Sequence, residues 1–264
     1  MSLLASLSAA FAARPDSAAV PAASVAVLVA GDEVTAAWGA PDGTLFQAAS
    51  ISKPVAALAA LRLAAQGRLS LDVDVNEYLT SWRLPGGDGK PPVTIRHLLC
   101  HGGALTVSGV PGYEQGEALP GLTEILDGLA PANTPAVRRD GPPGREHRYS
   151  GGGYVILQQL LEDVTAYPFA ELAAELIFEL ARMTAATYKQ PDPSDAAAAQ
   201  WTAGRWAGMC IRNSRPQASG APPQTCCASR RRSRARSQVT QGHYCRGRLP
   251  WKWSHHRWMT GGSV

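Results

Sequence analysis

Every acidic residue of this chain lies before residue 206. Up to that point 14 Lys/Arg face 21 Asp/Glu, a net of −7. The remaining stretch, 206–264, carries 11 Lys/Arg, no acid, and only Ile211, Val239, Leu249 and Val264 from the branched aliphatics. Such a segment cannot bury enough apolar surface to offset the entropy of ordering it. Four of the five cysteines (Cys210, Cys226, Cys227, Cys245) fall there as well. The expectation is a globular body over 1–205 and a basic, low-aliphatic tail over 206–264, disordered or out of frame. With 45% hydrophobic residues the body has ample material for a core.

Along the body, Leu3, Leu4, Leu7 and Phe11 read as a first amphipathic helix. Ala10-Phe11-Ala12 resembles a signal-peptidase site, but no basic residue precedes Arg14. A cytoplasmic location is therefore favoured, with a secreted or periplasmic one kept open. No run approaches the ~18 apolar residues of a membrane span. Ser24–Val29 reads as a buried strand, Gly31-Asp32 as a turn, and Glu33–Trp38 as the hairpin partner. A helix runs from Ser50 to Gly67, with Pro54 in its first turn. Shorter helices are expected near Val75–Leu79, at Thr94–Leu99 with Thr94 as cap, and at Leu122–Leu129. Tyr154–Thr165 and Phe169–Leu180 are the next two, and 102–121 and 131–148 are loops. Because a two-stranded sheet is marginal, further strands are expected downstream.

Chemistry concentrates at the start of the long helix. Ser50 and Lys53 stand three apart, hence on one face and one turn apart. Helix N–H groups favour negative charge at the serine, and the same field with burial favours a neutral amine able to take its proton. A second polar group is needed to relay a proton to the leaving group. Tyr149-Ser150-Gly151, at the end of a Pro/Gly loop and the opening of a helix, suits that task. His97 and His101 read as structural, His101 as an end-cap of its short helix. Cys100 reads as a small packed residue.

Phe46-Gln47-Ala48-Ala49-Ser50-Ile51-Ser52-Lys53-Pro54, Arg96-His97-Leu98-Leu99-Cys100-His101, Pro131-Ala132-Asn133, Pro143-Gly144 and Tyr149-Ser150-Gly151-Gly152-Gly153-Tyr154 follow one another in a familiar order. Together they resemble the class C β-lactamase-like serine hydrolases, which include β-lactamases, D,D-peptidases and esterases of the penicillin-binding fold. The likeness runs from about Ala23 to Tyr188. It implies a mixed α/β (α+β) fold, a β-lactamase/transpeptidase-like sheet plus a helical subdomain. It also implies Ser50 as acylated nucleophile, Lys53 as activating base and Tyr149 as second acid/base. Ser50 N–H would be one oxyanion donor, and Ser150 and Gly151 would contact substrate.

The chain departs from the family pattern at three places. Gly151 stands where Asn is common, which removes a donor to an amide side chain and tilts the substrate toward esters. Leu180-Ala181-Arg182-Met183 replaces Pro-Leu-Gly-Met. The third motif, Lys-Thr-Gly or His-x-Gly on an edge strand, has no convincing counterpart, and Thr260-Gly261-Gly262 lies in a stretch with no strand-like pattern. The C-terminal strands are accordingly expected to be missing, with low or no turnover. Gly208–Asn213 can be written in codons that, read one base out of step, give Trp-His-Val-Tyr-Pro-Glu, a phrase the family leads one to expect. A reading-frame shift near residue 206 is the resulting expectation.

The reading is thus a serine hydrolase forming an acyl-enzyme with a small-molecule ester or amide, with no metal and no cofactor. Two alternatives stand beside it. One is a non-catalytic ligand-binding relative of the same fold. The other is a tail, Arg230–Arg236 with Trp251, Trp253 and Trp258, that binds nucleic acid. The blander account of the tail makes a nucleic-acid partner the weaker reading. Cys226, Cys227, His243 and Cys245 lack a zinc-site spacing.

Overall fold

The computed structural model describes residues 3–13, 20, 22–39, 44–113, 117–189 and 210–212. Its first element, α1 (Leu3–Ala12), buries none of its residues and lays Phe11 flat on Trp38, ring centroids 4.4 Å apart. The hairpin follows: β1 (Ala23–Val29) pairs antiparallel with β2 (Asp32–Trp38), in register from Ala23↔Trp38 to Val29↔Asp32. Its turn is Ala30-Gly31, one residue earlier than the sequence suggested. Both residues have positive φ, 51° and 100°. A two-residue turn with both central φ positive matches the right-handed twist of the strands it joins.

A second sheet has the order β3-β5-β4, all antiparallel. It comprises β3 (Leu45–Gln47), β4 (Ala186–Thr187) and β5 (Cys210–Arg212). The middle strand comes from the 206–264 stretch, expected to be disordered or out of frame. The other motifs of that stretch, including Arg230–Arg236 and Thr260-Gly261-Gly262, lie outside the described residues.

Helices make the core. The long helix after β3 is α2 (Ser52–Ala65), and it buries Val55, Ala56, Ala59, Ala60 and Leu63. Its small residues let a neighbour approach closely, and that neighbour is α5 (Gly151–Thr165). Ten of the fifteen α5 residues are buried, among them Ile156, Leu157, Leu160 and Leu161, all at 0% exposure. Each such Leu or Ile contributes about 1.5–3 kcal/mol relative to an exposed one. Around α5 also pack α3 (Ile95–Leu99), α4 (Leu122–Asp127) and α6 (Phe169–Ala173). Beyond α6 a π-turn (Ala174–Phe178) leads into α7 (Glu179–Ala181), so the helix expected over 169–180 forms with one over-wide turn.

Two local devices hold this body together. Thr94 caps α3 as expected: its hydroxyl accepts from His97 N–H, and His97 Nδ1 accepts from Thr94 N–H at 3.2 Å. Asp163, on α5, gathers the 80–81 loop. Its carboxylate accepts from Thr80 N–H (2.7 Å), Ser81 N–H (3.0 Å) and the Ser81 hydroxyl (2.5 Å). Burial works against that charge, but those bonds and one from Gln159 outweigh it and hold the carboxyl below its usual range. Among the described residues, no helix is long and apolar enough to cross a membrane.

Candidate active site

The site forms where β3 runs into α2. Leu45 is buried at the strand start, and Ala48 closes a tight turn by accepting from Ile51 N–H at 2.9 Å. Between them Ala49 has φ +44°, a conformation side-chain-bearing residues seldom adopt. That kink lifts Ser50 to the surface at the head of α2, while Lys53 one turn on is buried at 9% exposure. The N-terminus of α2 is tied down from behind. Tyr188, just past β4, donates its hydroxyl to Ser52 O at 2.7 Å, and burial pushes that phenol strongly upward.

Tyr149 arrives from the other side because of how α5 begins. The sequence pattern starts this helix at Tyr154, since glycine is a poor helix former. In the structure it starts at Gly151, for two reasons. Ser150 is the cap, accepting from Gly153 N–H at 2.9 Å. The glycines also let the 106–109 loop lie directly against the helix start, with Gly151 and Gly152 donating to Ser108 O and Val107 O, each at 3.0 Å. A Cβ on Gly152 would come within 2.8 Å of Val137 Cγ2, and one on Gly151 within 3.1 Å of Ser108 O. Absence of side chains here is a packing requirement.

The outcome is a three-residue constellation. Lys53 Nζ donates to Ser50 Oγ at 3.0 Å, and the Tyr149 hydroxyl donates to the same oxygen at 2.7 Å. Lys53 Nζ also lies 4.9 Å from the Tyr149 ring centroid and 5.7 Å from that of Tyr154. Partial burial disfavours the Tyr149 phenolate, yet hydrogen bonding to Lys53 and Ser50 and the nearby ammonium prevail. The phenol therefore ionises below the ordinary tyrosine value. Ser50 and Tyr149 are 99 residues apart in the chain, so their contact is a product of the fold.

Ser150 and Gly151, expected to touch substrate, occupy different places. Gly151 lines a pocket, partly open to solvent, between α2 and α5. Ala49, Lys53, Val110, Tyr154 and Phe169 share its wall, so most of it is apolar. The Ser150 side chain is 3% exposed and turned away, bonded to Gly153 N–H and to Thr106 O at 3.1 Å. Its hydroxyl is spent on the helix cap and the loop.

His101 was read from sequence as an end-cap. Its backbone does close α3, but its ring lies against that of Tyr149, centroids 4.4 Å apart and planes tilted by 34°. Tyr154, whose hydroxyl donates to Leu99 O at 3.2 Å, completes this aromatic wall. The available signal was the string of His and Tyr in Gly-rich loops; sequence spacing alone could not bring 101 to 149.

Comparison with known proteins adds independent findings. A family model described as Beta-lactamase matches residues 7–222. Esterase EstB of Burkholderia gladioli is 49% identical over 65 residues, 24% of this chain and 17% of that protein. Penicillin-binding protein 4 of Amycolatopsis lactamdurans is 28% identical over 171 residues, 60% of this chain and 42% of that protein. The chain thus spans less than half the length of either relative. Among solved structures, a β-lactamase/D-alanine carboxypeptidase from Pseudomonas syringae superposes with a TM-score of 0.59 at 20% identity, covering 80% of this chain and 63% of that one. A class C β-lactamase from Rhodobacter sphaeroides gives 0.57 at 21% identity, covering 78% and 61%. Identities this low speak to the fold alone.

Proposed function

This chain belongs to the beta-lactamase family, and from that membership we propose that it is a serine hydrolase that transfers the acyl group of an ester or amide to Ser50. Ser50 Oγ attacks the carbonyl carbon while Lys53 or Tyr149 takes its proton. The Ser50 N–H stabilises the developing oxyanion, a donor of the kind worth about 2.7–4 kcal/mol. As the tetrahedral adduct collapses, Tyr149 gives its proton to the departing oxygen or nitrogen. The phenolate then draws a proton from water, which attacks the acyl carbon; as this second adduct collapses, Tyr149 passes that proton to Ser50 Oγ and the free acid leaves.

The observation that carries this reading is the convergence of an amine and a phenol on one serine oxygen, at 3.0 and 2.7 Å. In that arrangement both partners donate to Oγ, so the reactive form holds one proton fewer than the resting form. Acylation therefore speeds up as pH rises through loss of that proton. The depressed ionisation of Tyr149 brings the rise below the ordinary tyrosine range. Esters are favoured over amides, in line with the 49% identity to an esterase across 65 residues and with glycine at 151.

A nitrophenyl ester of a short acid tests the proposal. A stoichiometric burst of nitrophenol followed by little turnover, with the burst absent in Ser50→Ala, is the expected result. Saturable binding of the ester with no burst at any pH would instead favour a ligand-binding relative without acyl transfer.

A further inference from the structure

We infer that His101 is the positioning residue of this site, holding Tyr149 against Ser50 by fastening the chain on both sides of it. The inference rests on the reading of Tyr149 as the acid/base group. Its own support is geometric. The residue before Tyr149 is tied to the His101 backbone, Arg148 N–H donating to His101 O at 2.8 Å. The residue after it is tied to the imidazole, Ser150 N–H donating to His101 Nδ1 at 3.2 Å. Between the two bonds the imidazole lies against the phenol ring, 4.4 Å between centroids at a tilt of 34°. One residue therefore sets the height, the rotation and one face of Tyr149.

The backbone of His101 points the same way. Its φ of +57° belongs to the left-handed region, where a residue bearing a side chain is uncommon. Gly102 and Gly103 follow at once, so the turn already draws on glycine. A glycine at 101 would make it with less strain but would lack the imidazole. Strain of this kind persists where surrounding structure over-determines it, and here a ring between Tyr149, Tyr154 and His147 does so.

The bond from Ser150 N–H makes Nδ1 an acceptor, which leaves the ring proton on Nε2 and the imidazole neutral. Burial holds the ring below the ordinary histidine range, and the neighbouring His147 and Lys53 act in the same direction. A neutral ring can stay against the phenol without adding a second cation beside Lys53. With the clamp removed, Tyr149 keeps its neighbours in sequence but loses what fixes its ring. Its hydroxyl then spends less time at Ser50 Oγ. Displacement of a reacting group by about 1 Å costs up to a hundredfold in rate.

The test is an ultraviolet difference titration of the tyrosines in the full chain, with Tyr149→Phe identifying the Tyr149 step. It is run on the unmodified chain, His101→Leu and His101→Asn, each checked for folding by circular dichroism. Asparagine tolerates left-handed backbone, so that variant keeps the turn while discarding the ring. The expected result is a depressed Tyr149 step that moves up toward ordinary tyrosine in both variants. Labelling of Ser50 by a fluorophosphonate should slow by roughly ten- to a hundredfold alongside it. An unmoved Tyr149 step in either folded variant overturns the inference, as does the lack of a depressed step in the unmodified chain. Failure of the hydrolase reading looks different. There the Tyr149 step shifts in the variants, which upholds the clamp, while Ser50 takes no label in any of the proteins.

Discussion

Two regions of this molecule reach stability by different routes. The helical body buries α5 on nearly every side, with Ile156, Leu157, Leu160 and Leu161 fully enclosed. The hairpin β1–β2, with α1 against it, leaves every residue of both strands half-buried or exposed. Its long register of seven pairs is held by the ladder and by partial cover. The body can therefore fix side chains to within a rotamer, while the hairpin supplies area and little precision. Ser50, Lys53, Tyr149 and His101 all come from segments anchored on the body. A site that works through contacts of about 3 Å has to be built there.

Removing the nucleophile should have the largest effect. Ser50→Ala is expected to abolish the nitrophenol burst and fluorophosphonate labelling while leaving the melting temperature within a few degrees; a surviving burst would locate the chemistry elsewhere. Next comes the contrast in stability itself. Leu160→Ala should cost about 2–5 kcal/mol in urea unfolding, and Val27→Ala about 1 kcal/mol or less. Equal costs would erase the distinction between the two regions.

A third, smaller effect concerns Asp163. Its carboxyl ionises below the ordinary value of 3.8, so it stabilises the fold above that value and loses this contribution as pH falls through its own lowered one. Replacing it with Asn should cost about 1–2 kcal/mol near neutral pH, the carboxylate being only partly buried. It should also flatten the acid limb of the stability curve, which a series of melts between neutral and acid pH will show. The smallest expected change is that of Gly151→Asn. A Cβ there meets Ser108 O at 3.1 Å and Gly109 Cα at 3.2 Å, so the 108–109 backbone must give by a few tenths of an ångström. The melting temperature should drop slightly and the ratio of amide to ester labelling should rise; an unchanged ratio would remove Gly151 from substrate selection.

The same division explains what the sequence made legible. Periodic apolar spacing marked α2, α5 and the α6–α7 run, because helices that pack on one another must repeat every 3.6 residues. Thr94 announced the cap of α3 through local chemistry alone. The short strands β3 and β4 carried too few residues for a pattern, and the α5 start was hidden by three glycines whose value is closeness to the 106–109 loop. Ser50 and Lys53 could be paired from spacing. Tyr149 stood out as a phenol at a helix opening, and its role came with the family resemblance, since nothing local says that a loop 99 residues on returns to the same oxygen. His101 was read only as a cap, for its backbone turn is a local feature and its grip on residues 148–150 is not. Ser150 showed the reverse limit: its neighbourhood to Tyr149 suggested substrate contact, whereas the fold spends its hydroxyl on Gly153 N–H and Thr106 O.

The central proposal is that the Ser50 hydroxyl, at the head of α2, accepts an acyl group. Peptide mass spectrometry of the full chain after exposure to a fluorophosphonate tests it directly. The account predicts a single phosphonylated peptide bearing the adduct on Ser50, formed more slowly when Tyr149 is replaced by Phe. A folded chain that takes no adduct, or takes it on another serine with Ser50 untouched, would contradict it.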